Sequence, residues 1–122
     1  YAGNAVAAAA ALAGVGVIER DGLLAGATER GERLAAGIAA LDAPGVVTVR
    51  GRGLLRGIVL RDEIAPAVVA RLLEAGWIAN APRPSVVRVA PPLIVSEAEI
   101  DRFVAAFAVA LDAASAAGQE PA

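Results

Sequence analysis

The stretch Val46-Val47-Thr48-Val49-Arg50-Gly51-Arg52-Gly53-Leu54-Leu55-Arg56-Gly57-Ile58-Val59-Leu60 decides how this chain folds. Val46 to Arg50 and Leu54 to Leu60 are β-branched or aliphatic runs, which suit a pleated, half-buried surface, and they flank Gly51-Arg52-Gly53. The two glycines supply the positive φ of a tight reversal, so the stretch predicts a β-hairpin. The same glycines partly match a dinucleotide-binding fingerprint. That motif needs a helix to begin where a strand pattern follows here, and its glycine spacing differs. Arg50, Arg52 and Arg56 gather near the turn, where they either stand in solvent or bind an anion.

Upstream, Pro44-Gly45 closes a helical region in which Leu24, Ala27, Gly31, Leu34, Ile38 and Leu41 recur in steps of 3 and 4. Asp21 is the expected cap of that helix. The exposed pair Glu29 and Arg33 adds only ~0.3 kcal/mol, whereas each buried Leu or Ile adds ~1.5–3 kcal/mol, so packing decides the helix. Asn4 is the expected N-cap of an earlier helix running to about Arg20, with Val6, Ala10, Ala13 and Val17 on one face. Tyr1 to Ile18 carries no charge over 18 residues, a length that suits a membrane span. Its few large aliphatics, the interruptions at Gly3, Asn4, Gly14 and Gly16, and the lack of a preceding basic residue argue against a membrane role. Residues 1–20 read instead as an Ala-rich helix bridging to a neighbouring domain or subunit.

Downstream, Pro66 suits the first turn of a third helix carrying Val68, Val69, Leu72 and Leu73, with Gly76 ending it. Trp77 to Ala79 and Val86 to Val89 read as short strands separated by the Pro-containing stretch Asn80 to Ser85. Ser96 and Glu99 form a capping box with Val95 and Ile100 as its staple, and Ile100, Phe103, Val104, Phe107 and Leu111 mark the buried face of a last helix. Periodicity fades from about Ala113, leaving residues 116–122 as a frayed tail. The order of elements predicts a small α/β (α+β) domain over residues 21–115, with helices over a short, mostly antiparallel sheet.

Composition excludes more chemistry than it suggests. Of 122 residues 32 are alanine, so large core side chains are scarcer than the 57% apolar content implies. With no His or Cys there is no zinc-finger spacing, no His-based nucleophile and no disulfide framework. All 11 basic residues are arginine, so nothing here forms a Schiff base or supplies a P-loop ammonium. A net charge of −2 argues against nucleic acid as a partner. The lack of Cys suits a cytoplasmic protein, and the opening at Tyr1 rather than Met suggests a piece of something longer.

Two charged groups need weighing. Glu97, Glu99 and Asp101 resemble paired carboxylates, but they occupy the first turns of the last helix, where its dipole favours negative charge, and no acid–base role is assigned to them. Arg88 lies inside Val86-Val87-Arg88-Val89-Ala90, immediately before Pro91-Pro92. A guanidinium there must reach solvent, meet an internal carboxylate, or face the carboxylate of a ligand.

Three segments together resemble the class-III pyridoxal-phosphate aminotransferases. Tyr1-Ala2-Gly3-Asn4-Ala5-Val6-Ala7 is similar to that family's F-G-G-N-P-[VL]-A segment, with Ala2 and Ala5 standing where Gly and Pro are usual. Val49 to Ile58 is similar to its V-R-G-x-G-L-x-x-G-I hairpin, and Val87-Arg88-Val89-Ala90-Pro91-Pro92-Leu93 to its [IV]-[IV]-R-[FLV]-x-P-P-L strand. The likeness spans essentially the whole chain, and Asn80-Ala81 looks most like the branch that acts on acetylornithine.

The resemblance implies the C-terminal small domain of a fold-type-I, pyridoxal-phosphate-dependent transferase. It implies that Arg88 binds the α-carboxylate of the substrates, and that Gly3 and Asn4 lie at the interface of an obligate homodimer, near the cofactor phosphate of the partner subunit. The threonine holding that phosphate, the Schiff-base lysine and the aspartate facing the pyridine nitrogen are expected upstream of Tyr1. The implied reaction moves an amino group from N-acetylornithine to 2-oxoglutarate, giving glutamate, in arginine biosynthesis. The 122-residue piece is expected to be inactive by itself. The competing expectation is a stand-alone α/β module that binds a ligand or protein partner without catalysis.

Overall fold

A computed structural model describes residues 3–117. Tyr1, Ala2 and residues 118–122, the outer part of the expected tail, lie outside the described residues. The elements run α1 (Ala5–Arg20), α2 (Leu23–Ala40), β1 (Val46–Arg52), β2 (Leu55–Leu60), α3 (Ala65–Glu74), β3 (Asn80–Arg83), β4 (Val86–Val89) and α4 (Glu97–Ala117). The sheet is antiparallel throughout, in the order β1-β2-β4-β3. The fold is the expected α/β type.

The hairpin forms where the sequence places it, with Gly51 at φ +126° and Gly53 at φ +53° in its reversal. Inward alternation puts Ile58, Leu60, Val87 and Val89 against Leu34 and Ile38 of α2, Val68 and Leu72 of α3, and Phe103 and Phe107 of α4. Trp77 meets the Phe103 ring edge-on at 5.5 Å, a favoured aromatic geometry. The capping box forms as expected. The Ser96 amide donates to Glu99 Oε2 at 2.8 Å, and the Glu99 amide donates to Ser96 Oγ at 3.2 Å. Val95 and Ile100 are both buried beside it.

Four local expectations are corrected. Asp21 does not cap α2: it closes α1, its amide donating to the Val17 carbonyl, while Gly22 at φ +61° starts α2. Leu24 is 71% exposed and Leu23 is buried instead. At 100° per residue, position 23 returns to within about 20° of Leu34, whereas position 24 falls about 80° away. Trp77 to Ala79 is not a strand, because the Trp77 amide is taken by the Leu72 carbonyl and the Gly76 amide by Leu73, a Schellman ending of α3. The strand begins at Asn80 and carries Pro82, which an edge strand with an irregular ladder tolerates. Finally, α4 continues through Ala117 with Ala114 buried, so Ala116 and Ala117 are helical rather than frayed.

The helix α1 differs from the rest. Asn4 caps it as expected, its Oδ1 accepting from the Val6 and Ala7 amides at 3.0 and 3.1 Å. It packs against α2 yet buries none of its own residues, and Val6 and Leu12 are 78% and 74% exposed. No helix among the described residues is long and apolar enough to cross a membrane.

Candidate functional site

The sheet has one face under the helices and one face open. Cross-strand partners share a face, so the register writes out the open side. Arg50 pairs with Gly57, Gly57 with Arg88, and Arg88 with Asn80, a row that crosses all four strands. Arg88 is exposed on this row while its neighbours Val87 and Val89 point into the core. The sheet thus separates the hydrophobic and cationic parts of the Val86–Val89 strand by simple alternation.

Arg88 Nε donates to Asn80 Oδ1 at 3.0 Å, and no carboxylate forms an ion pair with it among the described residues. Asn80 therefore fixes one edge of the guanidinium and leaves its terminal nitrogens for an acceptor from outside. Pro91 and Pro92 end the strand just beyond, and the Val95 amide returns to the Pro92 carbonyl at 2.9 Å. Arg50, Arg52, Arg56 and Arg88 all line one shallow depression of about 400 Å³, together with Gly57, Pro82 and Val86.

The three arginines of the hairpin part company. Arg56 shares the inward parity of Ile58 and Leu60 and is only 9% exposed. Its Nε donates to the Gly53 carbonyl at 2.8 Å and a terminal nitrogen to the Gly51 carbonyl at 3.3 Å. It ties the turn to the strand and is not offered to an external anion. Arg50 and Arg52 stay exposed on the open face.

The acidic group of α4 has structural partners. Arg33 of α2 forms a two-toothed pair with Asp101, at 2.8 and 2.7 Å, and reaches Glu97 at 3.1 Å. That guanidinium holds the Asp101 carboxyl below the usual carboxylate range, and Asp101 in turn raises Arg33. The Ser96 amide, followed by its hydroxyl, likewise lowers Glu99. Gly3 and Asn4 stand at the exposed start of α1 and share neither hydrogen bond nor depression with Arg88 among the described residues.

Arg50 and Asn80 are the members of the row that reading single segments does not connect to Arg88. The parity of the hairpin was a usable signal, since any register that buries Ile58 and Leu60 places Gly57 on the opposite face. A second concavity of about 350 Å³, whose lining includes Leu34, Trp77, Ile78, Pro91, Pro92 and Phe103, has no signature in the sequence because its walls come from separate segments.

Known proteins bear out the family resemblance. The aminotransferase class-III family matches residues 1–111, so the chain belongs to the class-III aminotransferases. Within that class it is similar to the acetylornithine aminotransferases of Mycobacterium bovis, 48% identical over 93% of this chain, and of Bifidobacterium longum, 47% identical over 86%. The chain spans only 28% and 24% of the lengths of those two relatives. Among solved structures it superposes on a lysine aminotransferase from M. tuberculosis with a TM-score of 0.75 and 35% identity, covering 80% of this chain and 23% of that one. A transaminase from a study of ancestral reconstruction gives 0.81 at 32% identity, covering 88% and 27%.

Proposed function

We propose that this chain is the substrate-carboxylate-binding part of a pyridoxal-phosphate-dependent aminotransferase that transfers the amino group of N-acetylornithine to 2-oxoglutarate. The observation that carries this reading is Arg88: a planar, permanently charged fork on an open sheet face, braced by Asn80 and not neutralised by any described carboxylate. Similarity to acetylornithine aminotransferases supports the choice of substrate. The residues present do not fit covalent attachment of the cofactor, since the chain contains no lysine. That amine belongs to the remainder of the parent protein, and the role of this chain is to orient the incoming acid. Gly3 and Asn4, at the capped start of the uncovered α1, are assigned to the homodimer interface, near the cofactor phosphate of the partner subunit. Residues 1–20 serve as the bridge, residues 21–115 as the small domain, and the parent works in the cytoplasm in arginine biosynthesis.

Substitution Arg88→Lys in the complete enzyme keeps the charge and removes the fork. The expected result is a rise in KM of about tenfold for both N-acetylornithine and 2-oxoglutarate, the scale of one charge-assisted hydrogen bond. A change below about twofold for both substrates, well under that scale, removes Arg88 from the role. The isolated chain is expected to show no absorption band of protein-bound pyridoxal phosphate, and such a band would contradict its assignment as inactive alone.

A further inference from the structure

Arg88 is held from one side. Its Nε–H donates to Asn80 Oδ1 at 3.0 Å, and because that nitrogen only donates, the Asn80 atom that meets it is the carbonyl oxygen. The fold brings the two together by a defined route. Gly76 at φ +85° turns the chain out of α3, Trp77 anchors the following segment on Phe103, and Asn80 then opens β3 directly opposite Arg88. The Asn80 side chain makes this single hydrogen bond among the described residues. Asn80 does not line the depression onto which Arg88 opens, so it stands beside the arginine rather than where an incoming acid would lie.

We propose that Asn80 is a positioning residue for carboxylate binding: it commits the Arg88 guanidinium to receive an acid end-on, through its two terminal nitrogens, with its charge undiminished. This rests on the role proposed above for Arg88. A guanidinium takes a carboxylate either side-on, through Nε and one terminal nitrogen, or end-on, through both terminal nitrogens. Asn80 occupies Nε, so the end-on approach remains, and a long, exposed side chain is held in one geometry before the ligand arrives. Holding it in advance removes part of the ordering cost of binding. The choice of an amide over an acid matters equally. Asp has the same shape and would accept from Nε more strongly, but its charge would neutralise the fork that the substrate needs.

The test uses Asn80→Ala and Asn80→Asp in the complete enzyme. Asn80 is exposed, so both variants are expected to keep the thermal midpoint of the parent. Asn80→Ala should raise KM for N-acetylornithine and for 2-oxoglutarate about three- to tenfold, the scale of ordering one long side chain, with kcat within about twofold. Asn80→Asp should raise both KM values by about tenfold or more, although it keeps the shape and strengthens the bond to Nε. A purely structural brace predicts the opposite order, with Asp tolerated and Ala lowering the thermal midpoint while KM stays put, and that result would overturn the role. Asn80→Ala added to Arg88→Lys should change KM by less than about twofold further, because no guanidinium is left to orient. A full additional rise would mean that Asn80 touches the substrate itself and does not act through Arg88. Arg88→Lys alone separates the two readings: if it raises both KM values while Asn80→Ala raises neither, only the positioning role fails; if it raises neither, the role of Arg88 fails.

Discussion

Arg56 and Arg88 occupy adjacent rows of paired strands, Arg56 opposite Val89 and Arg88 opposite Gly57, yet one is structural and the other is available. Arg56 faces the helices, and its charge is met by the Gly51 and Gly53 carbonyls of its own turn and, at 3.9 Å, by the Glu32 carboxylate of α2. Arg88 faces outward, with a single amide oxygen on its Nε. The contrast teaches that an arginine inside an apolar strand is not diagnostic by itself. What distinguishes the two is whether the fold supplies acceptors for the whole fork.

The covered side should break first, and most severely, at Gly31. A methyl group at this position of α2 would overlap the Gly53 carbonyl, the acceptor that Arg56 also holds, and backbone on both sides prevents either from yielding. Gly31→Ala gains ~1 kcal/mol of helix propensity but is expected to lose about 3 kcal/mol of local stability to overpacking. Hydrogen exchange in the complete enzyme would show this as lost protection of the hairpin amides. Unchanged protection would mean that α2 does not rest on the turn.

Next in size, Arg56→Ala removes two charge-assisted bonds and leaves both turn carbonyls without those donors, an expected cost of about 2 kcal/mol. Arg88→Ala should leave hairpin protection where it was and act on KM instead. If the two variants gave the same pattern of exchange, the division of the sheet into a structural and a binding face would not stand.

Much of this division was legible in the chain because its signals are local. The cap at Asn4, the box at Ser96 and Glu99, and the glycine reversal each lie within four residues, and each formed. The boundary at Trp77 was not legible in that way. A β-favouring residue was taken up by the carbonyl of Leu72, a choice made by the end of α3 rather than by propensity. The site was half legible: Arg88 stood out by its apolar neighbours, but its union with Arg50, Gly57 and Asn80 exists only once β1, β2, β4 and β3 are in register.

The smallest expected effect sharpens the contrast by supplying an exposed arginine that does have an internal acid. Arg33 pairs with Asp101 between α2 and α4, and both side chains are about half exposed, 45% and 55%. Because the native carboxyl is held below its ordinary range, the unfolded chain takes up a proton at higher pH than the folded one. The pair therefore stabilises fully above the ordinary carboxylate value, and its contribution disappears as pH falls from that value through the depressed native one. Asp101→Asn should lower the thermal midpoint slightly at neutral pH, with the gap from the parent closing across that acidic window. Added salt should shrink the neutral gap, since solvent screens both groups and Glu97 still reaches Arg33. A gap that is constant down to the lowest pH at which the protein folds would show that Asp101 acts through something other than its charge.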